Sequence, residues 1–319
     1  MSASGSKKVI FAALIGNTLI AITKFIASVI TGSSAMLSEA IHSLVDTGNQ
    51  GLLLYGIKRS SKPADKDYPF GYGKEIYFWS FIVAILIFAL GAGVSIYEGI
   101  RHIISPEPIT NPLVNYIVLG LALIFEGTAW YMAFNEFSKG KGKWSYIKAV
   151  QRAKDPSIFV VLFEDTAALL GLLVAFLGIL LTQTTGILWF DGLASVIIGL
   201  ILAAIAIWLA VETKGLLIGE SANSEVNQEI HAIAEQYAGV DHINEVLTLH
   251  MGPGFILVNI SIDFTDNISA AEVERTIAAI DHEIKSRNAL VKRVFIEAER
   301  RTIPIERITQ VAKKDTDFL

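Results

Sequence analysis

The sequence contains no cysteine, so it can form neither a disulfide nor a thiolate metal site. Any metal it handles must rely on nitrogen and oxygen ligands, which makes soft Cu(I) a poor candidate. Charge is also scarce. Charged residues make up 18% of the chain, against about a quarter in soluble globular proteins. The net charge of −5 lacks the basic excess that a nucleic-acid partner requires, and no such partner is expected. What fills the gap is apolar: 52% of residues, collected into long uncharged runs before about residue 217. Beyond that point charged and apolar residues alternate. This shift predicts a membrane part at 1–217, a soluble domain at 218–305 and a polar tail at 306–319.

A helix needs about 20 mostly apolar residues to cross a bilayer. Six windows meet that demand, at 9–30, 34–57, 76–104, 112–136, 156–182 and 188–216. The first is too long for a signal-peptide core and is expected to be retained as a span. Only Thr31-Gly32-Ser33 separates the first two windows, which predicts a tight helical hairpin. Lys58, Arg59, Lys62, Lys66 and Lys74 crowd the loop after the second window, and a second basic group from Lys139 to Lys154 follows the fourth. The intervening loops are nearly free of positive charge. The positive-inside rule then places both termini in the cytoplasm.

After Gly219 the pattern changes. Residues 225–237 have helical spacing, 244–249 and 255–264 alternate as strands around Gly252-Pro253-Gly254, and Ser269 is placed to cap a helix ending near Arg287. A third strand is predicted at 291–297. The expected fold is therefore an all-α six-helix transmembrane domain followed by an α+β domain of order αββαβ. A three-stranded sheet with helices on one face leaves a face or an edge to cover, so a homodimer through this domain is expected.

Ionisable residues inside the apolar windows carry the chemistry. His42 and Asp46 are four residues apart in the second window and project from one helix face. Glu164 and Asp165 are adjacent carboxylates in the fifth, each costing about 2.5–3.5 kcal/mol at mid-bilayer even on the lenient insertion scale. An isolated HxxxD pair is most simply a hydrogen bond between its own two side chains, here His42 and Asp46. One imidazole facing several carboxylates, however, has an excess of negative charge that a divalent cation neutralises. Asn17, Lys24, Asn49 and Glu126 are further polar residues that could face the bundle, Glu126 as an unpaired carboxylate that bridges to another helix, lines a proton path or sits near the interface. Asp191 is expected to cap the sixth span. Stripes of small residues (Ala167, Gly171, Ala175 and Ser195, Gly199, Ala203) are read as packing surfaces.

Taken in order along the chain, several features resemble the cation diffusion facilitator family. They are the Gly32-Ser33 turn, His42 and Asp46, the Phe70-Gly71-Tyr72-Gly73-Lys74-Glu75 stretch, His102 to Pro106, Asp165, and Asp191 at the start of the sixth span. The Glu164-Asp165 pair looks like the mitochondrial-type zinc-transporter branch. The resemblance implies proton-coupled export of a divalent metal by a homodimer that alternates access, with four ligands from the second and fifth spans. His42, Asp46 and Asp165 match three of those positions. The fourth, commonly a histidine, is Val161 here, and Glu164 is the replacement candidate or a proton relay. Tyr68 and Tyr72 stand where some relatives have loop histidines, so a second loop metal site is not expected, although Asp65 and Asp67 could bind metal weakly. A structural role is expected for the soluble domain.

One imidazole and two or three carboxylates suit zinc, with manganese, iron, cobalt or nickel as alternatives. An intramembrane metalloenzyme would need an open coordination position and a base such as Glu164, and no second catalytic motif is present. A passive channel would need a continuous polar lining rather than one cluster. The expectation is a multi-pass protein of a bacterial inner membrane, with a divalent cation, protons and lipid as its partners and no enzyme activity.

Overall fold

Residues 3–301 are described by a computed structural model, and the chain divides into two compact units at Ile218/Gly219. The tail at 306–319 lies outside the described residues.

The first unit is helical. Its long helices are α1 (Ala3–Thr31), α2 (Ser34–Ser60), α5 (Pro112–Gly140), α7 (Pro156–Thr185) and α8 (Trp189–Ile218). Between α2 and α5 runs α3 (Glu75–Leu86), continued through a π-helical turn (Ile87–Ala92) into α4 (Gly93–Ile104). The short α6 (Tyr146–Arg152) lies before α7. The six windows thus correspond to six helical segments. Five are long and apolar enough to cross a membrane. The exception is α2, whose 27 residues would span about 40 Å at the helical rise but whose composition is too polar. The reason lies in what it buries: Ser38, Glu39, His42, Ser43, Asp46, Asn49 and Gln50 all point into the bundle.

The unit is apolar outside and polar inside, as a bilayer solvent demands. Val29 is 83% exposed on α1 while Lys24 on the same helix is 0% exposed. The α1–α2 hairpin turns at Gly32, whose φ of +70° is a left-handed conformation that a side chain disfavours. The last carbonyls of α1 are met by Thr110, whose N–H donates to Thr31 at 2.8 Å and whose hydroxyl donates to Ile30 at 2.9 Å. Helices α4 and α8 touch at Gly99 and Gly192, where a Cβ on either would collide with the other's backbone. Gly199, in the small-residue stripe of α8, is packed as closely, since a Cβ there would collide with Ile96 and press on the Ala92 carbonyl.

The second unit holds α9 (Ser224–Glu235), β1 (Val240–Gly252), β2 (Phe255–Phe264), α10 (Ala270–Arg287) and β3 (Val291–Ala298). This is the expected αββαβ order, with β1 longer than its alternation suggested. The sheet order is β1-β2-β3; β2 pairs antiparallel with β1 and parallel with β3, so α10 forms the crossover. Ser269 caps α10 through a reciprocal capping box with Glu272. Ile256, Val258, Ile260 and Ile262 alternate along β2 into a core shared with Ile230 and Ile233 of α9 and Ile280 and Ile284 of α10. The other sheet face carries Leu247, Leu257 and Phe295 in neighbouring rows, with Leu247 52% and Phe295 43% exposed.

Candidate functional site

Helical spacing puts His42, Asp46 and Asn49 on one buried stripe of α2, and α2 packs against α7. His42 Nδ1 lies 3.3 Å from Asp46 Oδ1, within ion-pair reach but misaligned for a hydrogen bond. On α7, Glu164 and Asp165 are both buried although adjacent residues point about 100° apart. Asn49 Nδ2 donates to Glu164 Oε1 at 2.7 Å, which ties α2 to α7 and gives Glu164 a partner. Val161 is fully buried one turn before Asp165 and offers no ligand atom.

Buried polar atoms in folded proteins are nearly always hydrogen-bonded. Here both ring nitrogens of His42, Asp46 Oδ1, Asn49 Oδ1, Glu164 Oε2 and Asp165 Oδ2 are buried without a hydrogen-bond partner. Apart from the one imidazole nitrogen that carries the proton, these are acceptor atoms of the nitrogen and oxygen type that borderline-hard cations take. The arrangement is not a closed site. Among the described residues no group of three His, Asp or Glu stands close enough to hold one ion. The fold therefore brings together two pairs, His42 with Asp46 and Asn49 with Glu164, and leaves Asp165 nearby on α7 with a free oxygen.

Of the three placements open to Glu126, the structure has the bridge to another helix: it accepts from the fully buried Lys24 at 2.7 Å, linking α5 to α1. Lys24 also donates to Glu39 at 2.9 Å and to Ser43 at 3.0 Å. Glu39, which the sequence reading did not single out, reaches across to α7, where a Cβ on Gly171 would collide with its carboxylate. That stripe position is thus more than a packing surface. The usable signal was Glu39's position three residues before His42, on the same face. Asn17 is buried on α1.

Asp191 does not cap its own helix. Its carboxylate caps α2, accepting from Ser34 N at 2.6 Å, from Ala35 N at 3.4 Å and from the hydroxyls of Ser33 and Ser34 at 2.6 and 2.9 Å. His102 of α4 stands 3.5 Å from the same carboxylate. The fully buried aspartate so anchors the end of the helix that carries His42. Asp191→Ala is expected to lower stability by about 2 kcal/mol, the upper range for a lost cap, in a chemical or thermal unfolding series.

In the loop between α2 and α3, Asp65 accepts from the Tyr72 hydroxyl at 2.7 Å and from the backbone N–H groups of Tyr68 and Asp67 at 2.8 and 3.0 Å. These bonds, the Tyr72 one foremost, hold its carboxyl below the usual range, and the Tyr72 hydroxyl is in turn pushed up to about 12. A metal at Asp65 would compete with these three donors for the carboxylate oxygens. Because the folded value is depressed, the bonds' contribution is present above the unfolded carboxylate value of about 3.9 and is lost as pH falls through the folded one. Tyr72→Phe is expected to return the Asp65 titration toward about 3.9, read by NMR of the loop.

Residues 10–218 match the cation efflux transmembrane domain. The chain is 36% identical over 267 residues to the mitochondrial proton-coupled zinc antiporter SLC30A9 of Homo sapiens, covering 83% of this chain and 47% of that protein. It is 29% identical over 261 residues to metal tolerance protein C4 of Arabidopsis thaliana, covering 81% of this chain and 57% of that one. The manganese efflux system protein MneP of Bacillus subtilis is 26% identical over 298 residues, with 91% and 95% covered. The chain spans about half the length of the human relative. With a polar seam inside a helical bundle and a domain match over most of that bundle, the chain belongs to the cation efflux family.

Proposed function

We propose that this protein exports a divalent metal cation, zinc foremost, in exchange for protons, with His42, Asp46, Asp165 and Glu164 as the ligand set. The observation that carries the reading is the set of unpartnered buried nitrogen and oxygen atoms on facing stripes of α2 and α7. Breaking the Asn49–Glu164 hydrogen bond frees Glu164 Oε1 to join an ion, so closure of the site needs a side-chain rearrangement along the seam. The human relative, a mitochondrial proton-coupled zinc antiporter, supports the cargo and counter-ion. Metal binding needs a neutral imidazole and ionised carboxylates, so affinity rises with pH and protons arriving from outside expel the ion. Manganese is the second reading, because a set with one nitrogen and three carboxylates is rich in oxygen and a relative is named for manganese efflux.

The protein works as a homodimer by alternating access in this account. The sheet row Leu247–Asn259–Phe295, exposed at its two apolar ends, supports pairing through the second unit. Leu247→Glu should shift the detergent-solubilised protein from dimer to monomer in light scattering. The basic loops after α2 and α5 support a topology with both termini in the cytoplasm of a bacterial inner membrane. Metal uptake into sealed proteoliposomes tests the function. Flux that follows an imposed pH gradient supports the exchange. Gradient-independent conduction would mean a channel, and the absence of any flux would reject transport.

A further inference from the structure

The Lys24 cluster lies outside the proposed ligand set, and its charges do not balance. Lys24 contributes one positive charge, while Glu39 and Glu126 contribute two negative ones if both are ionised. Among the described residues no second cation stands within ion-pair distance of either carboxylate. All three side chains are at most 2% exposed. Each carboxylate gives one oxygen to the ammonium, and the other oxygen, Glu39 Oε1 and Glu126 Oε2, is buried with no hydrogen-bond partner. An uncompensated charge in a low-dielectric interior is strongly disfavoured, and two carboxylates around one site commonly resolve this by sharing a proton.

We propose that Glu39 and Glu126 together hold one exchangeable proton, with Lys24 as the fixed counter-charge, forming a proton site separate from the metal ligands. With the proton bound the cluster is neutral; without it the cluster carries −1. The geometry also supplies coupling. Glu39 lies three residues before His42 on the same face of α2, about one helical turn away. A divalent cation at His42 and Asp46 raises the local positive potential and drives the proton from the carboxylate pair to solvent. Reprotonation of the pair removes a negative charge and weakens hold on the cation. Among the described residues of the first unit, the other buried acidic, basic or histidine side chains are His42 and Asp46 on α2, Glu164 and Asp165 on α7 and, at the capped end of α2, Asp191 and His102. The coupling half of the proposal rests on the cation-transport reading. The proton site itself does not.

Infrared spectroscopy of the metal-free protein in bilayers separates the two. Protonated carboxyls have a carbonyl stretch distinct from carboxylates. Glu126→Gln and Glu39→Gln should each remove one protonated-carboxyl component at neutral pH, and each leaves a neutral cluster that favours folding. Because the proton belongs to the pair, either variant suffices if the other fails to fold. Zn2+ should erase the same component in the wild type, and calorimetry should count one proton fewer released per Zn2+ in the variant. A component that survives both substitutions would overturn the proposal. A component lost in the variants but unmoved by Zn2+ in the wild type would uphold the proton site and reject its link to a cation.

Discussion

Asp165→Ala is expected to lower pH-gradient-driven zinc flux by at least about 100-fold while leaving the protein inserted and folded. Loss of an outer partner of a metal ligand already costs about 10–100-fold, and loss of a ligand costs more. Folding is spared because Asp165 makes no ion pair among the described residues and keeps a buried oxygen without a hydrogen bond. Removing an unsatisfied buried carboxylate relieves a desolvation penalty rather than breaking a contact. Flux is measured in proteoliposomes reconstituted with matched amounts of wild type and variant, and insertion is checked by circular dichroism and size exclusion. Wild-type flux in the variant would remove Asp165 from the site. Glu164 differs, because its bond to Asn49 gives it a structural role as well.

Lys24→Met is expected to act on stability instead. The ammonium holds α1, α2 and α5 together through Glu39, Ser43 and Glu126, and no part of it reaches solvent. Removing one member of a buried ion network leaves its partners uncompensated and costs about 3–5 kcal/mol. The variant should lose much of its yield and unfold at a lower temperature. The triple variant Lys24→Met, Glu39→Gln, Glu126→Gln should recover most of the loss, since neutral residues of similar shape often replace a buried ion cluster without penalty. A Lys24→Met protein as stable as wild type would show that the network contributes nothing.

The sequence reading reached some features because they are local. Helix lengths follow from apolar run lengths, and the six windows agree with the helix ends to within a few residues. His42 and Asp46 meet because four residues make about one turn, and Ser269 caps α10 because its partner Glu272 is three residues away. The αββαβ order was legible from helical spacing, strand alternation and the Ser269 cap signal. Other features depend on which helices cross. Lys24 meets Glu39 across 15 residues and Glu126 across 102, and no periodicity encodes the second pairing. Asp191 illustrates the same limit. An aspartate near a helix start usually serves its own N-terminus, but this one is the third residue of α8 and turns to the start of α2, 157 residues earlier. The polar character of α2 comes from Ser38, Glu39, His42, Ser43, Asp46, Asn49 and Gln50, which it buries. The same residues that make it a poor span on composition are the ones the bundle needs inside.

The fourth ligand position is where local reading and fold meet. Val161 leaves it open, and Glu164 occupies the right helix but is turned to Asn49. In the proposed site, Glu164 or another oxygen donor would have to turn toward His42, Asp46 and Asp165 as the ion binds.

The most direct test is X-ray absorption spectroscopy of the purified protein loaded with one Zn2+ per chain. The account predicts a shell of nitrogen and oxygen only, with a single imidazole contributed by His42, and loss of the imidazole signal in His42→Ala. A shell with no imidazole, or one unchanged in His42→Ala, would contradict a cation held between α2 and α7.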